Sequence, residues 1–135
     1  AKDIMVVGKK LPIIDFKKGF SEALKVMNEK KLGVVVILNN GFIAGLVTDG
    51  DLRREMKFIS KTTDLERFMT KRPMTVNENM PATKALAIMN EKKITSLPVV
   101  SDKDFEKKDK AKLIGIIHIH FLLQHGLQWL RERKD

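Results

Sequence analysis

Apolar residues at Phe20, Ala23, Leu24 and Met27 fall at i, i+3, i+4 and i+7, the spacing of one helical face. Ala82, Ala85, Leu86 and Met89 repeat that spacing further on, and Pro81 stands near the first turn of the helix they predict. After each helix comes an unbroken apolar run, Gly33 to Leu38 and then Leu97 to Val100, which reads as a buried strand. A turn signal, Asn39-Asn40-Gly41, follows the first run and predicts a hairpin. A further strand is expected at Phe42 to Val47, and its counterpart at Leu113 to Ile117. Closing helices are expected from about Asp49 to Met56 and from about Ile119 to Arg131, and short extended pieces around Leu11 to Ile14 and Met74 to Val76.

The two halves are copies. "ALKVMNEKKLGVVVIL" from Ala23 and "ALAIMNEKKITSLPVV" from Ala85 share Ala-Leu and Met-Asn-Glu-Lys-Lys at the same places. The copies differ in one connection: the tight turn at Asn39 becomes the charged loop Ser101 to Lys112. Each copy is therefore predicted as β-α-β-β-α, residues 1–63 and 64–135, with the boundary in the polar stretch between Lys57 and Asp64. One copy alone is too small to bury a core. The expected fold class is α+β, two repeats packed through their sheets with pseudo-twofold symmetry.

Composition narrows the function. The chain has 135 residues, 43% hydrophobic and 32% charged, which suits a globular fold. Its longest apolar stretch, Leu32 to Leu38, is too short to cross a bilayer, and no signal-peptide pattern opens the chain, so no membrane partner is expected. There is no cysteine, hence no disulfide and no thiol catalysis; a reducing, cytoplasmic location is expected. The net charge of +9 would attract anions. Nucleic acid is disfavoured, because the only tryptophan is Trp129, tyrosine is absent, and many lysines follow helices as in Glu29-Lys30-Lys31 and Glu91-Lys92-Lys93.

The candidate chemistry sits in "GLVTDGDLRR", Gly45 to Arg54. Thr48 to Asp51 join a strand to a helix, where unpaired backbone N–H groups favour an anion. The Thr48 hydroxyl can donate to a phosphate oxygen. The Asp51 carboxylate suits two neighbouring ribose hydroxyls, and Gly50 permits close approach. Asp49 and Arg54 flank the join, with Arg53 and Arg54 either touching phosphate or forming surface pairs. A flat base would lie on the wall at Gly33, Val34 and Val35. The competing reading is structural: Thr48 or Asp49 caps the helix and Asp51 complements its dipole.

The second copy carries Gly115-Ile116-Ile117-His118-Ile119-His120-Phe121 at the equivalent place. A weakened or altered second site is expected there, formed by Thr95, Ser96, Leu97, Pro98, His118 and His120. His118, His120 and His125 lack a cysteine or carboxylate to complete a metal set, so no metal is expected. No nucleophile, base and orienting group come together in the sequence, so no catalytic residue is assigned. The tail "LQWLRERKD" is expected to cap its own core through Leu127 and Leu130.

The double repeat with Gly-x-x-Thr-x-x-Asp at the strand–helix join resembles a tandem CBS-domain pair, a Bateman module, over about Ile4 to Gly126. "VTDGDLRR", "MTKRPMTV" and "LIGIIHIHFLLQHG" look more specifically like the C-terminal pair of arabinose-5-phosphate isomerases of the KpsF/GutQ type. In those enzymes a sugar-isomerase (SIS) domain interconverts ribulose 5-phosphate and arabinose 5-phosphate for Kdo and lipopolysaccharide synthesis. The resemblance implies a regulatory module rather than an enzyme, a fragment lacking its SIS partner, and no required cofactor. It implies a nucleotide ligand, either AMP, ADP or ATP or a cytidine nucleotide sugar such as CMP-Kdo, and a homodimer of pairs. Relatives usually keep an acid where this chain has Phe121. The alternatives are a structural dimerisation module without ligand and a free-standing adenylate sensor.

Overall fold

The computed structural model describes residues 5–54, 65–107, 110–120 and 122–124. In the first repeat, β1 (Ile13–Asp15) runs parallel to β2 (Val34–Asn39), with α1 (Phe20–Lys30) between them. β3 (Phe42–Thr48) returns antiparallel to β2 through the Asn40-Gly41 turn and leads directly into α2 (Asp49–Arg54). The second repeat follows the same plan. β5 (Val76–Asn77) lies parallel to β6 (Ser96–Val100) across α3 (Ala82–Lys92), and β7 (Gly115–His118) pairs antiparallel with β6. Residues 119, 120 and 122–124 are helical, where the second closing helix was expected. Phe121, His125 and the tail with Leu127 and Leu130 lie outside the described residues, as does the stretch between Lys57 and Asp64.

The central strands β2 and β6 are apolar runs because both of their faces are covered. Alternate residues of a strand point to opposite faces. Val35 and Ile37 of β2 enter the first repeat's own core with Ala23, Val47 and Leu65. Val34 and Val36 turn the other way, into a shared core with Ile43, Val100 and Ile116. In β7 the same division sends Ile117 to the second repeat's core and Ile116 to the shared one. The shared cluster is the seam between the sheets.

Two short pairings, absent from the sequence reading, stitch the repeats together. β4 (Thr70–Lys71) stands at the start of the second repeat yet joins the first repeat's sheet, pairing antiparallel with β3. Val6, at the start of the first repeat, joins the second sheet: it exchanges both backbone bonds with Ile116, at 2.7 and 3.0 Å. Each repeat thus lends its leading strand to the other. The crossing requires glycine. A Cβ on Gly45 would collide with the Met69 side chain, and one on Gly115 with that of Met5. Division of the chain at residue 63 is therefore not division of the sheets.

Both repeat helices end alike. Lys31 and Lys93 adopt the left-handed conformation, at φ 57° and 56°, and their N–H groups bond to Met27 and Met89 carbonyls. Glycine is the usual residue at such a cap. The identical stop aims β2 and β6 at equivalent places, and those places frame the candidate site.

Candidate functional site

The strand–helix join of the first repeat is a reciprocal cap. The Asp51 N–H donates to Thr48 Oγ1 at 3.1 Å, and the Thr48 N–H donates to Asp51 Oδ2 at 3.0 Å. This is a capping box, with aspartate in the third helical position. It satisfies two backbone donors that the helix start would otherwise leave unpaired. The Asp49 N–H donates to the Gly33 carbonyl at 2.9 Å, which fastens the join to the start of β2. Asp49 also pairs with Arg53 at 3.7 Å, both side chains largely in solvent. The Arg54 side chain is outside the described residues.

Thr48, Asp49, Gly50 and Asp51 line a cleft of about 460 Å³. The opposite wall is Ile94, Thr95, Ser96 and Pro98, from the turn between α3 and β6 of the second repeat. Leu46 adds an apolar patch, and Thr70, Pro73 and Met74 close one side. Lys92 and Lys93 stand at the end of α3, on the lip. The cleft forms because β5 pairs only with Val99 and Val100, so the edge of β6 is open beside Pro98. Proline has no N–H to leave unpaired at such an edge.

The sequence candidates are regrouped by this geometry. Thr95, Ser96 and Pro98, expected in a second site, face the Thr48–Asp51 join. Gly33, Val34 and Val35, expected on the same cleft as Thr48, are not on its lining. Gly33 instead braces Asp49 through its backbone, while Val34 and Val35 are fully packed core residues. Leu97 is likewise buried in the second repeat's core. The physical reason is the seam: the sheets face each other, so the join of one repeat lies opposite the helix–strand turn of the other. Lys92, Lys93, Thr70 and Met74 were missed. Once the repeat was recognised, the crosswise packing was the signal that would have found them.

The second join keeps the scaffold and changes the groups. The Ile119 N–H donates to the Thr95 carbonyl at 2.8 Å, the counterpart of the Asp49–Gly33 bond. His118 takes the place of Thr48 and is buried. Its Nδ1 accepts the His120 N–H at 3.2 Å, and its ring bonds to the backbone of Leu32 across the seam. The His118 and His120 rings stack with centroids 4.9 Å apart. Burial pushes the His118 pKa down, as does the neighbouring His120, and the Leu32 bond opposes both. Burial and His120 thus favour the neutral imidazole of His118, whose ring meets the Leu32 backbone where the first join has an open cleft. Among the described residues no three His, Cys, Asp or Glu side chains gather to hold a metal ion, and no helix is long and apolar enough to cross a membrane.

Comparison with known proteins agrees with this architecture. The CBS domain family model matches residues 1–57 and again 64–120. The chain belongs to the CBS domain family, as a tandem pair. It is 35% identical over 127 residues to the uncharacterized protein RP505 of Rickettsia prowazekii, covering 93% of this chain and 37% of that one. It is 34% identical over 129 residues to the arabinose 5-phosphate isomerase KdsD of Pseudomonas aeruginosa, with the same coverage, 93% and 37%. The chain therefore spans little more than a third of the length of these relatives. Among solved structures, CBSX2 in complex with AMP matches at a TM-score of 0.77 and 26% identity, over 96% of both chains. CBSX2 from Arabidopsis thaliana matches at 0.77 and 26%, over 96% and 95%.

Proposed function

We propose that this CBS pair is the regulatory, non-catalytic module of a cytoplasmic arabinose-5-phosphate isomerase, and that it binds one nucleotide in the cleft between Thr48–Asp51 and Thr95–Pro98. The observation that carries the reading is the chemistry assembled across that cleft. Two carboxylates, Asp49 and Asp51, and the hydroxyls of Thr48, Thr70, Thr95 and Ser96 share its lining with two lysines and an apolar patch. A nucleotide offers matching groups: a diol for Asp51, phosphate oxygens for the Thr48 hydroxyl and Lys92 or Lys93, and a base for Leu46, Ile94 and Pro98. The hydroxyl that accepts the Asp51 N–H still carries its own proton to donate. The AMP bound by CBSX2 supports an adenine nucleotide, and the kinship with KdsD supports a cytidine nucleotide sugar such as CMP-Kdo. Because the cleft has one wall in each repeat, a ligand that fits one packing of the repeats better than another shifts their balance and so reaches an SIS catalytic partner.

One observation favours a second reading. Thr48 and Asp51 already satisfy each other as a helix cap, which suits a module that dimerises or braces the enzyme with no ligand. Thermal unfolding with AMP, ADP, ATP, CMP and CMP-Kdo separates the two. A bound nucleotide at 100 times its Kd stabilises by about 2.7 kcal/mol. A midpoint unmoved by all five, in a stable dimer, rejects the nucleotide reading.

A further inference from the structure

The loop that enlarges the second repeat takes no part in the cleft. It crosses instead to the first repeat, where Ala111 is buried in the shared core and its carbonyl accepts the Ile43 N–H at 2.9 Å. That anchor brings Lys110 and Lys112 over the hairpin of β2 and β3. The Lys112 ammonium lies 5.9 Å from the centre of the Phe42 ring. Beside them is a hollow of about 470 Å³, floored by Phe16, Phe42 and Met69 and edged by Lys71, Arg72 and Lys110. Its size is that of a small-molecule site.

β4 separates this hollow from the cleft. Thr70 lines the cleft, while Met69 and Lys71 line the hollow, as alternation along a strand requires. The two concavities share no lining residue. Three cations edge the hollow against a single carboxylate, Glu66. Lys71 and Lys110 enter no ion pair among the described residues. The equivalent positions of the other repeat are uncharged. Met5 packs on Gly115 as Met69 packs on Gly45, so Val7 and Gly8 occupy the positions of Lys71 and Arg72 in the other repeat.

We propose that the hollow is a second ligand site, for a small organic anion with an apolar or aromatic body and one acidic group. The aromatic and thioether floor takes the body out of water. The cations on the rim face the acid from the solvent side, where they keep their hydration. The enlarged loop, fastened to the opposite repeat through Ala111, contributes Lys110 to the rim.

The probe is 8-anilinonaphthalene-1-sulfonate, titrated onto the whole chain and followed by dye fluorescence and backbone amide shifts. Saturable binding is expected, with shifts at Asn40, Ala44 and Lys71. The charge-reversed Lys71→Glu/Lys110→Glu variant should bind about tenfold more weakly, with an unchanged unfolding midpoint because both lysines are exposed. Asp51→Ala should leave dye affinity unchanged, so loss of nucleotide binding and loss of dye binding are distinguishable. Three results would overturn the proposal: equal dye affinity in the charge-reversed variant, shifts gathered at Gly50 and Thr95 instead, or no saturation at millimolar dye.

Discussion

The two strand–helix joins are one scaffold with two chemistries. In each, the first backbone N–H past the strand donates to the helix–strand turn of its own repeat, Asp49 to Gly33 and Ile119 to Thr95. In each, a glycine in the strand accepts a methionine from the crossing leader. The groups displayed then diverge. Thr48 and Asp51 stand on an open cleft, whereas His118 is buried, stacked on His120 and bonded to Leu32. The difference teaches that duplication preserved what folds the chain, the backbone bonds and glycine contacts. The side chains on top differ: they line an open cleft in one copy and form a packed histidine pair in the other.

The largest effect tests whether the scaffold is shared. Ile116 is fully buried in the seam and bonds the crossing Val6 through its backbone. Ile116→Ala should cost about 2–5 kcal/mol, the range for large-to-small changes in a core. Urea denaturation followed by far-ultraviolet circular dichroism and by backbone amide signals from each repeat should show one coincident transition. Two transitions would mean that the repeats unfold separately and that the seam is not a common core.

The next effect breaks the first join. Asp51→Ala removes the carboxylate that faces the cleft and half of the capping box. Charge-assisted hydrogen bonds contribute roughly 1.5–3 kcal/mol each, so calorimetry should show nucleotide affinity reduced about tenfold or more. Loss of the cap should lower stability by about 1 kcal/mol. A change in stability with no change in affinity would leave Asp51 as a cap alone and take it out of the nucleotide's contacts.

A smaller effect sharpens the contrast. Lys31 and Lys93 close equivalent helices in the same left-handed conformation, but only Lys93 lines the cleft. Replacing either by glycine relieves the same backbone penalty, offset in part by a freer unfolded chain, for a net gain of roughly 0.5 kcal/mol in both variants. Their nucleotide affinities should differ. Lys93→Gly is expected to weaken binding about threefold, in line with the modest energies of exposed charges, and Lys31→Gly to leave it unchanged. Equal affinities would remove Lys93 from the site.

Much of this architecture was legible in the residues, for identifiable reasons. The helical spacing at Phe20–Met27 and Ala82–Met89 marks α1 and α3, and the unbroken runs at Val34 and Leu97 mark strands covered on both faces. Thr48 and Asp51 stood out because two polar groups interrupt an apolar pattern. The crossing leaders at Val6 and Thr70 were illegible, since strands of one or two residues have no periodicity to read and their partners lie in the other repeat. The cleft's composition was illegible for the same reason. Membership of one repeat grouped Gly33–Val35 with Thr48, whereas the seam places Thr95, Ser96 and Pro98 there. The hollow at Lys71 and Lys110 depends on a loop folding onto a distant hairpin, which no local pattern announces.

The smallest effect belongs to the second join alone. His118 has its pKa lowered first by burial and then by His120, with the Leu32 bond pulling the other way. A base so held binds fewer protons in the native chain than in the unfolded one, which titrates near about 6.5. Its contribution to stability is therefore complete above that pH and is lost as the pH falls below it toward the folded value. Protonation would also take from Nδ1 the lone pair that accepts the His120 N–H. Urea midpoints measured across pH 7.5, 6.5 and 5.5 should fall on acidification, and His118→Gln should flatten that fall. Carboxylate titration at lower pH is common to both proteins, so the difference between them isolates the imidazole. An identical pH profile in wild type and His118→Gln would show that the histidine pair carries no titratable load.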